Sequence, residues 1–301
     1  MVGNRKYEKI NMKLNALLEE KEFLIVSHRG SWGGNILENT KESVLTAVNT
    51  GADFIEIDLV KSKDDDYYCF HTGNELRLFK DETIDVEQLS SKEIRKLSVH
   101  NSISEATSSR LNTIDEVFQG ISNMSFINLD RSWDYWVDLL PKLEKKEYRD
   151  SIILKSPVRY DLLKTLESCE TKFMYFPIVS NTDELNLLKE FDINIVGLEL
   201  LASTENDAFF SAELVSTIQS EMNVFILLNA IVLNDERKLF AGYDDTVSIL
   251  EGPEHGWGKL LEHGANAIHT DWTAELNIYR EELKNNKSQH MVMRYPEGVQ
   301  K

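Results

Sequence analysis

The sequence is poor in cysteine and has no long apolar run. Its two cysteines, Cys69 and Cys169, lie far apart and belong to neither a CxxC pair nor a Cys/His cluster, so nothing indicates a disulfide framework or a zinc site. No apolar stretch approaches the roughly 18 residues of a membrane span. The opening segment, Met1 to Glu22, is charged and helix-like and has no apolar core of signal-peptide length. We therefore expect a reduced, cytoplasmic protein without an integral membrane segment.

Basic residues are also scarce. Lysine and arginine number 33 against 51 aspartates and glutamates, which gives a formal net charge of −18. An anionic surface of this kind repels nucleic acid and anionic lipid headgroups, so we expect neither as a partner. A local group of basic side chains can still bind one phosphate, so the net charge is compatible with a small phosphorylated substrate.

The chain alternates short apolar runs of β type with helix-type segments from end to end. The predicted strands are Phe23–Val26, Phe54–Val60, Phe126–Leu129, Ile152–Leu154, Phe173–Val179, Ile193–Leu200, Val224–Leu228 and Ala267–Thr270. The predicted helices are Thr40–Thr50, Thr113–Ile121, Trp133–Lys145, Tyr160–Ser168, Asp183–Lys189, Ala212–Glu221, His255–His263 and Ala274–Lys284. Eight βα units without a Pro/Gly/Ser-rich linker predict one α/β domain over residues 1–301, a closed (β/α)8 TIM barrel; a doubly wound open sheet is the alternative.

Two local features refine this prediction. Asn39 with Glu42 resembles a capping box and predicts the start of the first helix after the first strand. Residues 72–112 interrupt the alternation with mostly polar sequence and one short helical segment around residues 91–97. An insertion after a strand's carboxyl end lies on the active-site face of a barrel, so we expect these residues to form a cap over the site; a surface excursion without substrate contact is the alternative.

Chemically active side chains gather at the ends of the first strands. His28 and Arg29 end the first strand, Glu56 and Asp58 lie two residues apart in the second, and His71 follows soon after. Because side chains alternate along a strand, the two carboxylates point the same way, as the ligands of a hard divalent cation would. Arginine suits a phosphate bidentately, and histidines move protons near neutral pH. This combination indicates metal-dependent cleavage of a phosphodiester.

The ordered set of these motifs resembles the glycerophosphodiester phosphodiesterase family. The matching positions are His28-Arg29-Gly30, Glu38-Asn39-Thr40, Glu56-Ile57-Asp58 and His71. Further similarity lies in Leu111-Asn112-Thr113 with Asp115-Glu116-Val117, and in the segment from Gly264 to Asp271 that ends the last strand. The family has a (β/α)8 barrel, which agrees with the fold predicted above from the alternation of strands and helices.

The resemblance implies that Glu56, Asp58 and a carboxylate on the third strand hold one divalent cation, Ca²⁺ or Mg²⁺. The family has Asn-x-Glu-x-Lys there, whereas this chain has Asn128-Leu129-Asp130-Arg131-Ser132. We expect Asp130 to be the third ligand, with a shorter side chain that shifts the ion. Ser132 replaces the expected lysine, and Lys155 is a candidate to supply the missing phosphate-binding charge; a solvated lysine at a strand end is the alternative. Thr72 also replaces the usual aspartate after His71.

The predicted reaction is hydrolysis of a glycerophosphodiester to glycerol phosphate and an alcohol. The cation and Arg29 would bind the phosphate, and His28 and His71 would act as acid and base in an order that the sequence does not determine. Two alternatives remain open. One is a phospholipase D-like enzyme acting on a lysophospholipid or another diester, and the other is a catalytically silent, phosphate-binding barrel. The predicted partner is the small-molecule substrate, and nothing in the sequence predicts the oligomeric state.

Several other polar residues near strand ends have weaker signals. Glu38 is expected to orient Arg29, whereas Glu199 and Asn229 are candidates for substrate contact that could equally be solvated or structural. His269 lies inside the last strand and is expected to be packed rather than catalytic.

Overall fold

The structure, a computed structural model, describes residues 1–121, 125–233 and 237–294. Its strands are β1 (Leu24–His28), β2 (Phe54–Lys61), β3 (Tyr67–Cys69), β4 (Val99–His100), β5 (Ala106–Thr107), β6 (Phe126–Asp130), β7 (Ile152–Pro157), β8 (Met174–Val179), β9 (Asn194–Ile195), β10 (Gly197–Leu200), β11 (Phe225–Asn229) and β12 (Ala267–Thr270).

The α-helices begin before the first strand. They are α1 (Glu8–Glu20), α2 (Lys41–Asn49), α3 (Glu75–Phe79), α4 (Ser91–Ile94), α5 (Ile114–Ile121), α6 (Trp136–Leu143), α7 (Tyr160–Ser168), α8 (Thr182–Leu188), α9 (Ala212–Met222), α10 (Asp245–Leu250), α11 (Trp257–Glu262) and α12 (Thr273–Arg294). Among the described residues, no helix combines the length and the hydrophobicity needed to cross a membrane.

Eight parallel strands close into a barrel. They follow one another in the order β1-β12-β11-β10-β8-β7-β6-β2, and β1 also pairs with β2, which joins the two ends of the sheet. The closing register places Val26 beside Phe54 on one side of β1 and Ile25 beside Ile268 on the other. The predicted (β/α)8 barrel is therefore confirmed, and the open sheet is excluded.

Each predicted strand contributes a barrel strand, with small differences at the ends. The segment predicted as one strand over residues 193–200 is split at Val196 into β9, which pairs only with β8, and β10, which belongs to the barrel. The helix predicted from Trp133 starts instead as a 3-10 turn, and regular helix begins at Trp136. The last helix continues beyond the predicted end, to Arg294.

The lower half of the barrel interior is filled with apolar side chains, and α1 covers its open end. Leu14 of α1 is fully buried against this core. The core comprises Leu24, Val26, Phe54, Phe126, Ile153, Met174, Phe176, Val196, Phe225, Leu227 and Ala267. Because apolar side chains fill this end of the barrel, we look for a functional site at the opposite end, where the parallel strands have their carboxyl termini.

The predicted insertion lies where the sequence placed it. After β2 the chain turns back as β3, which pairs antiparallel with β2, and residues 72–112 follow before α5. The insertion has its own apolar core, which includes Phe79, Ile94 and Val99 and packs on Phe70 and Val60. Its function as a cap over a bound substrate remains a prediction.

A buried ion pair fastens the last helix to the first strands. Arg280 of α12 forms a salt bridge with Asp53, which precedes β2, and both side chains are almost fully buried. The Arg280 guanidinium also donates to the carbonyl oxygens of Phe23 (3.0 Å) and Gly51 (2.9 Å), while Asp53 accepts from the Ile25 amide at 2.8 Å. Arg280 thus connects α12 to the segments that precede β1 and β2, the two strands whose pairing closes the barrel.

Replacing Arg280 with methionine should destabilise the protein by about 3–5 kcal/mol, because the Asp53 carboxylate would stay buried without its partner. The free energy of unfolding in urea is the measurement. Arg149→Met is the matched control: Arg149 pairs with Asp150 on the surface, and its loss should change stability by less than about 0.5 kcal/mol. Equal effects of the two substitutions would contradict this account of the closure.

Candidate active site

The strand register brings the predicted site residues to one edge of the barrel. His28 lies beside Glu56 across the β1–β2 pair, and Asp58 lies beside Asp130 across the β2–β6 pair. Lys155 follows on β7, the next strand around the barrel. Adjacent parallel strands therefore place these side chains next to one another, although they are far apart in sequence.

Glu56, Asp58 and Asp130 converge as predicted. Each offers a carboxylate oxygen, and these oxygens all lie within 4.8 Å of one another. Burial, together with the charges of Asp58 and Asp130, raises the pKa of Glu56 to about 8. Three carboxylates this close repel one another unless a cation lies between them, and all-oxygen ligands suit a hard divalent ion. The residues present thus fit the cation that the family resemblance implies.

The backbone after β1 turns sharply to place Arg29. Arg29 has φ 58° and Gly30 has φ 74°, so two successive residues are left-handed. A side chain at Gly30 would clash, because a Cβ there would lie 2.6 Å from the backbone of Ser43. The Arg29 amide donates to Glu56 at 3.0 Å, and its Nε lies 3.0 Å from an Asp58 oxygen. The turn thereby aims a guanidinium at the carboxylate cluster.

The predicted role of Asn39 as a helix cap is wrong. The residue that caps α2 is Thr40, which forms a capping box with Ser43. Asn39 instead adopts φ 56° and binds Asp58 twice: its amide nitrogen donates to the carboxylate at 3.0 Å, and its oxygen accepts from the Asp58 amide at 3.0 Å. The side chain that resembles a cap in sequence orients a candidate metal ligand in the structure.

Glu38 connects this loop to the insertion. Its buried carboxylate accepts from Arg29 at 3.3 Å, as expected, and from the Asn74 side chain at 2.7 Å. It also pairs with Arg77 of α3, whose guanidinium lies 5.0 Å from the ring centroid of Trp32. The insertion therefore contacts the carboxylate that orients Arg29.

His28 is paired with Asp271, which follows β12. The two side chains are 2.8 Å apart through Nδ1 of the imidazole. Burial alone would lower the pKa of His28, but the Asp271 carboxylate outweighs it and raises the pKa above its ordinary value. Asp271 ends the last-strand motif of the sequence, which assigns it no role. An acidic residue directly after the last strand is the signal that could have indicated one.

His71 has the opposite electrostatic setting. It follows β3, and burial lowers its pKa, with the Asp58 charge opposing the shift and the Arg29 charge adding to it. Its Nδ1 is buried and has no hydrogen-bond partner among the described residues. The pKa of the two predicted catalytic histidines is thus shifted in opposite directions, upwards for His28 and downwards for His71.

Lys155 is buried between two carboxylates. Its ammonium lies 2.9 Å from Asp130 and 2.8 Å from Glu199, and only 4% of its side chain is exposed. Burial opposes its charge, but the two carboxylates raise its pKa, and Lys155 in turn lowers the pKa of Asp130 despite the burial of that carboxyl group. Lys155 therefore neutralises Asp130 in the structure, and its contact with a substrate phosphate remains a prediction.

A hydrogen-bonded chain continues from Glu199 to the last strand. The Asn229 amide donates to Glu199 at 2.7 Å, so its oxygen faces His269 and accepts from Nδ1 at 2.8 Å. This arrangement assigns the Nδ1–H tautomer to His269, which leaves the Nε2 lone pair 4.0 Å from a Glu56 oxygen. Burial lowers the pKa of His269 well below its ordinary value. His269 is packed, as expected, and it also borders the carboxylate cluster.

Arg131 is a site residue to which the sequence analysis gave no role. It follows Asp130 at the end of β6 with φ 50°, and its Nε lies 3.4 Å from Asp58. The next residue, Ser132, is fully buried, and its hydroxyl accepts a hydrogen bond from the Trp136 indole at 3.1 Å. The position at which the family has a lysine thus faces the protein interior here.

Two family models match different parts of the chain. The model described as the glycerophosphoryl diester phosphodiesterase family matches residues 28–165, which contain the predicted catalytic, metal-binding and phosphate-binding residues. A second model, described as a domain of unknown function, matches residues 173–280. That range includes Glu199, Asn229, His269 and Asp271, so both matches contribute side chains to one site.

Solved structures with the same fold cover most of the chain. A glycerophosphoryl diester phosphodiesterase from Parabacteroides distasonis is 16% identical, with a TM-score of 0.69 over 90% of this chain and 92% of its own. A phosphodiesterase from Oleispira antarctica in complex with the product sn-glycerol-3-phosphate is 19% identical, with a TM-score of 0.60 over 84% and 95%. A glycerophosphodiester phosphodiesterase from Thermotoga maritima is 19% identical, with a TM-score of 0.59 over 86% and 98%.

Binding of Mg²⁺ to the metal-stripped protein should release close to one proton at about pH 7 and almost none above about pH 9. The reason is the raised pKa of Glu56, about 8, which keeps this carboxyl group protonated at neutral pH until a cation displaces the proton. Calorimetry in buffers of different ionisation enthalpy counts the protons. Glu56→Gln is the control and should bind more weakly with no release, whereas unchanged proton release in that variant would contradict the assignment.

Proposed function

Because residues 28–165 match the model of the glycerophosphoryl diester phosphodiesterase family, we propose that the protein hydrolyses a glycerophosphodiester to glycerol phosphate and an alcohol. One observation carries this proposal: His28, paired with Asp271, lies beside a three-carboxylate cluster to which Arg29 is also bound. Water attacks phosphorus, the bond from phosphorus to the alcohol oxygen breaks, and the alcohol leaves with a proton. A vicinal hydroxyl of the substrate is the alternative nucleophile.

Glu56, Asp58 and Asp130 would hold one divalent cation, Ca²⁺ or Mg²⁺. When bound, the ion neutralises phosphate charge and stabilises the charge that develops on the phosphoryl oxygens. Asn39 keeps Asp58 in position from one side. Lys155 acts on Asp130 from the other side and keeps that carboxylate ionised for ligation.

Arg29 would bind a non-bridging phosphate oxygen. Its guanidinium is held by Asp58 through Nε and by Glu38 through Nη1, so its orientation is fixed before substrate arrives. A guanidinium that is already oriented loses little conformational freedom on binding, and a hydrogen bond between two ions is stronger than a neutral one. Lys155 adds positive charge on the Asp130 side of the cluster.

The opposite pKa shifts suggest which histidine is the acid. His28, whose pKa Asp271 raises, would carry a proton and give it to the departing alkoxide. His71, whose pKa burial lowers, would be neutral and take the proton from the nucleophile. Protonation of the leaving group matters most for an alkyl alcohol, since its alkoxide is too basic to leave unprotonated near neutral pH.

We place the reaction in the cytoplasm, as part of lipid and glycerol metabolism, with a small-molecule diester as the partner. The free cysteines Cys69 and Cys169 and the net charge of −18 support a reduced environment and a soluble substrate.

The direct test uses metal-stripped protein with Ca²⁺, Mg²⁺ or Mn²⁺ added back. The substrates are glycerophosphocholine, glycerophosphoethanolamine, glycerophosphoinositol and lysophosphatidylcholine. We expect metal-dependent release of alcohol from a glycerophosphodiester. Release from lysophosphatidylcholine alone would favour the phospholipase D-like alternative, and metal binding without any turnover would favour a phosphate-binding barrel.

The dependence of the hydrolysis rate on the leaving group can identify which histidine is the general acid. His28→Ala should slow hydrolysis of an alkyl glycerophosphodiester by about 10²–10⁴-fold but affect a 4-nitrophenyl diester far less, because 4-nitrophenolate needs no proton to leave. His71→Ala should slow both substrates to a similar extent, since both need the nucleophile activated. Steady-state rates of the two variants on the two substrates are the measurement, and the opposite pattern would reverse the roles.

Asp271 is expected to act through His28. In Asp271→Asn the pKa of His28 should fall, because the carboxylate that stabilises the imidazolium is gone. The histidine would then lose its proton at lower pH, and the alkaline limb of the pH–rate profile should move to lower pH. The profile on an alkyl diester is the measurement. A shift of the acidic limb alone would contradict the assignment of His28 as the acid.

A further inference from the structure

We propose that Arg131 is a second phosphate-binding arginine, which forms with Arg29 a guanidinium pair on either side of Asp58. The proposal rests on the function proposed above, since it names a further contact for the same substrate phosphate. It assigns to Arg131 the positive charge that Ser132 does not supply.

The two arginines are placed in the same way. Each directly follows a site residue at the end of a barrel strand, Arg29 after His28 and Arg131 after Asp130. Each approaches Asp58 through Nε, at 3.0 Å for Arg29 and 3.4 Å for Arg131, on different oxygens of that carboxylate. One candidate metal ligand is thus bordered by two guanidinium groups.

Their backbones share an uncommon conformation. Both are left-handed, with φ 58° and 50°, which costs a residue other than glycine about 1–2 kcal/mol. In both, the amide of the arginine donates to a cluster carboxylate: Arg29 to Glu56 at 3.0 Å, and Arg131 to Asp130 at 2.7 Å. The same carboxylates that suit a cation therefore hold both turns, and strain of this kind is typical of functional sites.

Lys155, another cation at this edge, is less available to a substrate. Lys155 has 4% of its side chain exposed and lies between Asp130 and Glu199, so a substrate would have to displace existing ion pairs. Arg131 has 48% of its side chain exposed, and its one ion pair among the described residues is with Asp58. Its guanidinium can turn two of its nitrogens towards an incoming anion while Nε stays on the carboxylate.

A purely structural role predicts different behaviour. If Arg131 served only to neutralise Asp58, its removal would change cation affinity and leave phosphate affinity unaltered. If it binds phosphate, its removal weakens binding of the anion, while cation affinity stays the same or rises because a competing positive charge has left Asp58. Removal of Arg131 can raise the cation affinity in either case, so the affinity for phosphate separates the two roles.

The experiment measures binding of sn-glycerol 3-phosphate to the full-length, Mg²⁺-saturated protein by calorimetry, and Mg²⁺ binding in separate titrations. Arg131→Gln should weaken sn-glycerol 3-phosphate binding by about tenfold or more, and Arg131→Lys should weaken it less. Arg149→Gln is the matched control, because Arg149 also has 48% of its side chain exposed and pairs through Nε with an aspartate at 3.4 Å. That control should leave both affinities unchanged.

Each outcome decides between the possibilities. A change of less than about twofold in sn-glycerol 3-phosphate affinity for Arg131→Gln, with wild-type binding intact, overturns the role of Arg131 and leaves the proposed function standing. Absence of sn-glycerol 3-phosphate binding to the Mg²⁺-loaded wild-type protein overturns the role of Arg131, whereas the turnover assay above decides the proposed function. Unfolding midpoints of the variants, measured in urea, show that each is folded, and Arg131→Lys tests the role even if Arg131→Gln does not fold.

Discussion

Repulsion among three adjacent carboxylates, two of them buried, is the constraint on which the site depends. Glu56, Asp58 and Asp130 converge within 4.8 Å at the carboxyl edge of the barrel, where burial makes each negative charge costly. The rise of the Glu56 pKa to about 8 is a direct result. The surrounding residues reduce this cost from several sides: Arg29 lies on Asp58, and Lys155 lies on Asp130. A divalent cation at the centre would complete the neutralisation.

The same carboxylates also determine the local backbone. Arg29 and Arg131 occupy left-handed conformations whose amides bind the cluster, so the strain of the turns is offset by hydrogen bonds to the carboxyl oxygens of Glu56 and Asp130. Gly30 continues the first turn where Ser43 leaves no room for a side chain. The same residues thus donate hydrogen bonds to the negative cluster and offer positive charge to an anionic substrate. Each arginine contacts the cluster through its amide and Nε. Arg29 is also bound to Glu38 through Nη1, whereas Arg131 has 48% of its side chain exposed.

Much of the fold and part of the site could be predicted from sequence, because strand periodicity and short motifs are local. Eight apolar runs indicated eight barrel strands, and Glu56 with Asp58 indicated a shared face. The errors and omissions arise where function depends on long-range contacts. Asn39 has the sequence signature of a helix cap, and only the approach of β2 shows that it binds Asp58. Likewise, the orientation of the His269 ring depends on Asn229, on another strand.

The departures from the family pattern on the third barrel strand are coupled to one another. With Asp130 in place of glutamate, the shorter carboxylate is reached by Lys155 from the next strand, and this ion pair keeps it charged. With Ser132 in place of lysine, the position is fully buried and its hydroxyl accepts a hydrogen bond from the Trp136 indole, so a lysine there would bury its charge. The neighbouring Arg131 lies in a left-handed turn and has 48% of its side chain exposed at the end of the strand. The changes therefore redistribute positive charge around the cluster and do not remove it. A catalytically silent barrel would be expected to lose such charges, so this pattern favours the proposed enzyme.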